Sequence, residues 1–184
     1  MTDLDQILEP GAVIGILGGG QLGRMLSVAA SRLGFTTHIF EPSANPPAGH
    51  VADKVTTAGY EDEAALRAFA ETVDVITYEF ENIPTSALDI LEALKPIRPN
   101  REALRVSQDR LTEKTFLQDL GLATAPFAEV NDAADLEVAL EQVGTPSILK
   151  TRRFGYDGKG QMRIIDLSEA PAALAAIQGA PAGR

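Results

Sequence analysis

Residues 12–25 read AVIGILGGGQLGRM, and this stretch decides the fold. Residues 12–17 form an almost continuous apolar run, which is typical of a strand buried on both faces of a parallel sheet. The run ends in the glycines at 18–20, and the following pattern predicts a helix over about 21–33, closed by Gly34. A strand, a glycine-rich turn and a helix in this order predict the first unit of an α/β domain.

Strands and helices continue to alternate over the next seventy residues. Their apolar patterns predict strands at 36–40, 54–57 and 73–78, and helices at 61–71 and 84–94. This alternation predicts a doubly wound α/β domain with a mostly parallel sheet.

A second module is predicted after the proline-rich segment 96–100. Its predicted elements are helices around 101–106 and 109–120, a strand at 127–130, a helix at 132–143, a hairpin across 146–165 and a helix from about 168. So few strands make an incomplete α+β sheet domain. We therefore divide the chain into residues 1–107 and residues 108–184.

The composition argues against several classes of protein. The 184 residues are 45% hydrophobic, enough for one core and part of another, and the absence of cysteine excludes disulfides and thiolate metal sites. A net charge of −10 argues against a nucleic-acid partner, because phosphate contacts require a broad basic surface. No apolar run approaches the eighteen or so residues of a membrane helix. We expect a cytoplasmic protein with no membrane partner.

Residues 150–161, KTRRFGYDGKGQ, reverse the acidic character of the chain. Over residues 150–163 one acid, Asp157, stands among five cations: Lys150, Arg152, Arg153, Lys159 and Arg163. Glycine at 155, 158 and 160 lets backbone N–H groups approach anionic oxygens. An ordinary hairpin turn would explain Asp157-Gly158 but not three glycines among cations. We call residues 150–161 the second glycine loop, since the glycines at 18–20 belong to an earlier one. We predict that it covers a nucleotide phosphate.

The first glycine loop, residues 18–23, matches G-x-G-x-x-G between a strand and a helix, and Glu41 follows at the end of the next strand. This pattern is typical of NAD-binding domains, which stay an alternative. In both interpretations the helix N-terminus favours a phosphate near Gly20 to Leu22. The glycines would otherwise only allow the strand and helix to pack closely. Two glycine loops together indicate two phosphorylated ligands rather than one dinucleotide.

Residues 77–84, TYEFENIP, lie at the carboxyl end of a predicted strand. Ligands of open α/β sheets gather at this edge, so the segment should face Gly20. Glu79 is predicted to bind a ligand. Asn82 either contacts the same ligand or caps the helix that begins near Pro84. His38, inside a strand, is predicted to be a packed structural residue.

Four motifs together resemble one known family: GGGQLGRM at 18–25, YEFEN at 78–82, DRLTEK at 109–114 and the second glycine loop. In this order they resemble the N5-carboxyaminoimidazole ribonucleotide synthases, which are ATP-grasp ligases of purine biosynthesis. The resemblance implies a pre-ATP-grasp domain, an ATP-grasp domain and a homodimer at full length. The formate-dependent glycinamide ribonucleotide transformylases share this architecture and are the nearest rival, but residues 78–82 favour the carboxylating enzyme.

The resemblance implies a reaction and the residues that serve it. The family uses ATP to activate bicarbonate, as carboxyphosphate, and passes the carboxyl group to the exocyclic amine of aminoimidazole ribonucleotide. The implied ATP-binding residues are Arg110, Lys150, Gly155, Tyr156, Asp157, Gly158, Lys159, Gly160 and Gln161, with Lys150 and Lys159 as catalytic cations. The implied ribonucleotide-binding residues are Gln21, Leu22 and Glu79, beside which we place Gly20 and Asn82.

Length is where the chain departs from the family, whose members continue well past this point. The family's magnesium carboxylates lie in that further part, so we expect no metal ligands here and Mg²⁺ bound beyond residue 184. We expect an N-terminal half that is inactive alone. Lys150 and residues 155–161 should then be exposed and mobile.

Overall fold

The computed structural model describes residues 7–155 and 159–179, and the chain divides into two compact units between Arg105 and Val106. The boundary predicted between residues 107 and 108 stays a prediction. Within the described ranges, no helix combines the length and the apolar character needed to cross a bilayer.

The first unit alternates strands and helices, as predicted. Its elements are β1 (Val13–Leu17), α1 (Gln21–Arg32), β2 (Thr36–Phe40), a 3₁₀ turn (Pro47–His50), β3 (Lys54–Thr56), α2 (Glu63–Ala70), β4 (Val75–Tyr78) and α3 (Thr85–Glu92), and α4 (Arg101–Ser107) runs across the division. The strand order is β3-β2-β1-β4, with parallel pairing throughout. The predicted doubly wound, mostly parallel sheet is confirmed.

The strand order places a switch point between β1 and β4. From β1 the chain moves outward to β2 and β3, and it then returns to place β4 on the other side of β1. Leu17, the last residue of β1, lies opposite Phe40 and Tyr78, so the carboxyl ends of the three strands are level. The loops after β1 and β4 leave the sheet side by side, where open α/β sheets bind ligands.

Apolar side chains cover both faces of this sheet. One cluster unites sheet residues with α2 and α3, and it includes Leu17, Phe40, Leu66, Phe69, Ile76, Leu88 and Leu91. A smaller cluster contains Ile16 and Ile39 of the sheet and Ala48 of the 3₁₀ turn. The buried residues of α1 are small and lie at helical spacing: Gly23, Ser27 and Ala30. Small side chains at these positions let α1 pack closely against the neighbouring elements.

His38 of β2 is a packed structural residue, as predicted, and is 1% exposed. Its Nδ1 lies 2.7 Å from the hydroxyl of Thr72, which itself donates to the carbonyl of Phe69. Thr72 therefore accepts from Nδ1–H, while Nε2 accepts from the hydroxyl of Thr56 at 2.8 Å. Burial, assisted by Lys54, lowers the pKa of His38 from 6.5 to about 4. The ring is neutral at physiological pH.

The second unit is an antiparallel hairpin with helices. Its elements are α5 (Arg110–Asp119), α6 (Ala133–Val143), β5 (Ser147–Lys150), β6 (Gln161–Ile164), a 3₁₀ turn (Leu167–Glu169) and α7 (Ala170–Gln178). Its core contains Leu136, Leu140, Ile164, Ala170 and Ala173. The expected incomplete α+β portion is confirmed.

One local prediction was wrong, and one of the two roles left open for Asn82 is excluded. Residues 127–130 are irregular rather than a strand, because no described strand offers them a hydrogen-bonding partner. Asn82 does not cap α3, which begins at Thr85 with Pro84 in the N-cap position and without a side-chain cap.

Candidate functional site

The first glycine loop is filled by a carboxylate of the chain itself. Glu79 follows β4, and its two oxygens accept hydrogen bonds from the backbone N–H groups of Gly20 and Gly23. These N–H groups open α1, where they have no partner inside the helix. The negative charge also lies at the positive end of the helix dipole. The predicted proximity of Gly20 and Glu79 is therefore present.

A second carboxylate joins the same loop. Glu41 accepts a hydrogen bond from the N–H of Gly19 at 2.8 Å through Oε2, and one from Ser43 at 2.9 Å through Oε1. In a dinucleotide-binding domain an acid at this position would contact a ribose. Of the N–H groups from Gly20 to Leu22, where the sequence predicted a phosphate, that of Gly20 already has Glu79 as its acceptor, and the phosphate site stays a prediction. The loop as folded presents acceptor oxygens.

The glycines of the first loop make room for these carboxylates. A Cβ atom on Gly18 would lie 2.6 Å from Cγ of Glu79, and one on Gly20 would lie 2.8 Å from its Oε1. Gly18 also has a φ of +98°, which side-chain-bearing residues rarely adopt. The glycines are therefore needed by the protein's own packing, whichever ligand binds.

The remaining predicted substrate residues surround this loop. Gln21 and Leu22 are exposed on the first turn of α1, and Asn82 is half-buried after β4. Tyr60 is a residue that the sequence analysis missed. Burial, and then the charges of Glu41 and Glu79, raise its pKa, so its phenol stays protonated and can donate a hydrogen bond. Its place shortly after β3, at the carboxyl edge of the sheet, was the available signal.

The second glycine loop joins β5 to β6 and holds the predicted ATP-binding residues. Lys150 pairs with Gln161 at the end of the ladder, and its side chain is exposed, as predicted. Lys159 is also exposed, whereas Gly155 and Gly160 are half-buried. Three predicted ATP-binding residues, Tyr156, Asp157 and Gly158, lie outside the described residues. The predicted mobility of the loop stays a prediction.

Thr151 and Arg110 explain two of the loop's glycines. The N–H of Thr151 donates to the carbonyl of Gly160 at 2.8 Å, and a Cβ on Gly160 would lie 2.5 Å from Oγ1 of Thr151. A Cβ on Gly155 would lie 3.0 Å from Nη2 of Arg110, which donates to the Gly155 carbonyl at 2.6 Å. The structure thus brings together Arg110 and Gly155, two predicted ATP-binding residues.

Arg152 and Arg153 contact side chains elsewhere in the second unit. Arg152 forms ion pairs with Asp109 at 3.0 Å and with Glu129 at 2.5 Å. Arg153 donates to the side-chain oxygen of Gln108 at 2.6 Å. These arginines hold the base of the second glycine loop, which charge counting along the sequence did not predict.

Cavities border Lys150 on β5. One of about 150 Å³ has a mixed lining, in which apolar residues alternate with Phe127 and with charged side chains: Arg110, Lys114, Glu129, Lys150 and Arg152. A larger one of about 430 Å³ shares Lys114, Phe127 and Lys150, and its other walls are mainly apolar. Apolar walls beside cations suit a nucleotide, with its base in the apolar part and its phosphates at the cations. Sequence reasoning missed Lys114 and Phe127.

No group of three or more His, Asp or Glu side chains among the described residues could hold a metal ion. The expectation that the magnesium ligands lie beyond residue 184 stays a prediction.

Two protein families match the chain in succession. The ribonucleotide synthetase preATP-grasp domain matches residues 12–108, and the ATP-grasp domain matches residues 115–182. These matches cover the first glycine loop and most of the second unit.

Several N5-carboxyaminoimidazole ribonucleotide synthases are similar to this chain. The one from Brucella melitensis is 52% identical over 177 residues, which are 95% of this chain and 49% of the relative. A solved structure of such a synthetase in complex with ADP has a TM-score of 0.90 and 38% identity, covering 96% of this chain and 47% of that one. The Aspergillus clavatus enzyme in complex with ADP and 5-aminoimidazole ribonucleotide has a TM-score of 0.81 and 32% identity, covering 94% and 45%. The chain spans about half the length of the relatives it matches.

Proposed function

The chain belongs to the ribonucleotide synthetase pre-ATP-grasp family, and from that premise we propose that it carries the ribonucleotide site and part of the ATP site of an N5-carboxyaminoimidazole ribonucleotide synthase. In the proposed reaction, bicarbonate is joined to the exocyclic amine of aminoimidazole ribonucleotide while ATP is cleaved to ADP and phosphate. Ligand binding is assigned to this chain and turnover to the full-length protein.

One observation carries the ribonucleotide part of the proposal: Glu41 and Glu79 fill the first glycine loop at the switch point of the sheet. The exocyclic amine of the ribonucleotide, to which the proposed reaction adds the carboxyl group, can donate hydrogen bonds that these carboxylates accept. The proposed ribonucleotide contacts are Gly20, Gln21, Leu22, Glu79 and Asn82.

The proposed ATP site is built around Arg110, Lys150 and residues 155–161. Phosphoryl transfer depends on positioning and on neutralising the phosphate charge rather than on a protein nucleophile. Lys150 and Lys159 are the proposed catalytic cations, because a positive charge beside the transferring group stabilises its transition state. The exposure of Lys150 beside a cavity supports this assignment.

Three further parts of the proposal rest on the family alone. We propose that the full-length protein binds Mg²⁺ through residues beyond 184, forms a homodimer and acts in the cytoplasm. Its proposed partners are the small molecules ATP, bicarbonate and aminoimidazole ribonucleotide.

Isothermal titration calorimetry tests the proposed function. The chain is titrated separately with aminoimidazole ribonucleotide, with ADP and with NAD, and we expect binding of the first two and none of NAD. Glu79→Gln should weaken ribonucleotide binding about tenfold, because it removes a charge-assisted hydrogen bond. The matched control Glu63→Gln removes an exposed helix carboxylate that pairs with Arg67 and should leave binding unchanged. Binding of NAD without the ribonucleotide would contradict the proposal.

The transformylase alternative is tested by turnover. The full-length protein is assayed with aminoimidazole ribonucleotide and bicarbonate, and separately with glycinamide ribonucleotide and formate. We expect ADP release in the first assay only, and release in the second alone would assign the chain to the rival ligase.

A further inference from the structure

Two segments of the second unit interlock at the base of the second glycine loop. Arg152 approaches Oδ2 of Asp109 with both Nε and Nη2 at 3.0 Å, while its carbonyl accepts from the N–H of Arg110 at 3.0 Å. In return, Nη2 of Arg110 donates to the carbonyl of Gly155 at 2.6 Å. We name these contacts the α5 latch. It fastens the first turn of α5 to the loop from both sides.

Asp109 serves the latch and the helix together. It is the N-cap of α5, and its Oδ1 accepts from the N–H groups of Leu111 and Thr112 at 3.0 and 3.1 Å. Burial alone would raise the pKa of Asp109, but hydrogen bonds from Arg152 and Thr112 outweigh burial and lower it. The carboxylate stays ionised at neutral pH. Arg110 is the next residue along the chain, so a fixed Asp109 also fixes the position of Arg110.

The charges around Arg152 make it a poor phosphate ligand. Its Nη1 contacts Glu129 at 2.5 Å, so one guanidinium faces two carboxylates and the group of three carries a net charge of −1. Such a group repels phosphate. Arg110 differs, because its Nη2 donates to the uncharged carbonyl of Gly155 and its buried Nε has no hydrogen-bond partner among the described residues.

We propose that Arg152 is a positioning residue: it fixes Arg110 and the base of the second glycine loop for a nucleotide phosphate and does not contact the nucleotide. The inference rests on the proposed function, because it takes Arg110 as an ATP ligand. Without the latch, Arg110 and the loop occupy more arrangements in the free protein, and ordering them on binding weakens affinity.

A double-mutant cycle in the full-length protein tests this role. The Kd of ADP is measured for the unaltered protein, Arg152→Ala, Arg110→Ala and the double variant, and thermal unfolding is followed in parallel. We expect about tenfold weaker binding for each single variant. The double variant should bind within about twofold of Arg110→Ala, because Arg152 acts through Arg110.

A milder variant keeps the test informative if Arg152→Ala fails to fold. Asp109→Asn keeps an oxygen to cap α5 but loses the charge that holds Arg152, so we expect a smaller loss that also disappears in the Arg110→Ala background. Arg67→Ala, the matched control, removes an exposed, ion-paired arginine of α2 and should leave the Kd unchanged.

The outcomes separate this inference from the proposed function. Losses that multiply in the double variant would show that Arg152 acts independently of Arg110, and would overturn the inference while the ATP site stands. An unchanged Kd in Arg152→Ala would overturn it equally. If the unaltered protein bound no ADP, the proposed ATP site would fail, and this inference with it.

Discussion

Glu79 accepts a hydrogen bond from the backbone N–H of Gly20, 59 residues earlier in the chain, and so ties the end of β4 to the start of α1. The same carboxylate also accepts from Gly23. A side chain that completes a helix N-terminus in this way contributes to folding as well as to a binding site. The two contributions can be measured separately.

Replacing Glu79 should destabilise the fold. Glu79→Ala leaves the N–H groups of Gly20 and Gly23 without their acceptor, and we expect the free energy of unfolding to fall by about 2 kcal/mol. Urea denaturation followed by circular dichroism measures the change. Glu63→Ala, which removes an exposed carboxylate of α2, should cost under about 0.5 kcal/mol. Equal losses in both variants would contradict the capping role.

Gly20→Ala should displace the Glu79 side chain, because its Cβ would lie 2.8 Å from Oε1. We expect a loss of about 1–3 kcal/mol in the free energy of unfolding. In the Glu79→Ala background the same substitution should cost less, since the clashing group is gone. The four proteins form a double-mutant cycle, and purely additive losses would show that Glu79 is not what Gly20 accommodates.

His38 should make the stability of the first unit depend on pH. Its pKa is about 4 in the folded protein against 6.5 for a free histidine, so between these values the unfolded chain binds more protons. The stabilisation from the neutral ring is complete above pH 6.5 and is lost as the pH falls toward 4, by on the order of 3 kcal/mol in total.

Urea denaturation from pH 7 to pH 4.5 measures this dependence. The decline should be shallower in His38→Gln, which has no titrating ring but keeps a polar side chain near Thr56 and Thr72. Identical slopes for the two proteins would mean that other groups account for the acid lability.

Lys150 should matter for turnover in the full-length protein. Lys150→Ala removes a charge beside the transferring phosphoryl group, and we expect kcat/KM to fall on the order of 100-fold or more. Steady-state kinetics with ATP as the varied substrate measures it, with Arg67→Ala as the charge-matched control. A change of less than about threefold would place Lys150 outside the catalytic centre.

Residues 1–184 alone should bind ATP weakly and should not turn it over. Only part of an ATP site is proposed for these residues, and no group of three or more His, Asp or Glu among the described ones could hold a metal ion, so we expect a Kd around millimolar. Calorimetry and a bicarbonate-dependent ATPase assay check both statements. Micromolar affinity or measurable ATP cleavage by these residues would show that the active site is misplaced.

The elements that the sequence predicted well are those with local signals. Alternating apolar runs predicted the parallel sheet, and Gly34, with a φ of +84°, closes α1 as expected. The failed strand at 127–130 has an apolar pattern but no partner strand, and partners are not encoded locally. Element type is thus easier to predict than pairing.

The candidate sites show the same contrast between residues that a local pattern predicts and contacts that it does not. The glycine loops, Glu79, Arg110 and Lys150 stand out in the sequence, because their residue types are unusual for their surroundings. The contacts between them depend on residues far apart: Arg152 meets Asp109 across 43 positions, and Glu41 meets Gly19 across 22. Spacing along the chain predicted a phosphate at the first loop, which stays a prediction, but it could not predict that Glu41 and Glu79 contact that loop.

The central claim is that the first glycine loop, occupied by Glu41 and Glu79, binds an amine-bearing ribonucleotide and rejects dinucleotides. Its most direct test is a ¹H–¹⁵N correlation spectrum of the chain, titrated with aminoimidazole ribonucleotide and, separately, with NAD. We predict that the amide signals of Gly20 and Gly23 shift with the ribonucleotide and stay in place with NAD. Shifts of these two signals with NAD, and none with the ribonucleotide, would contradict the account.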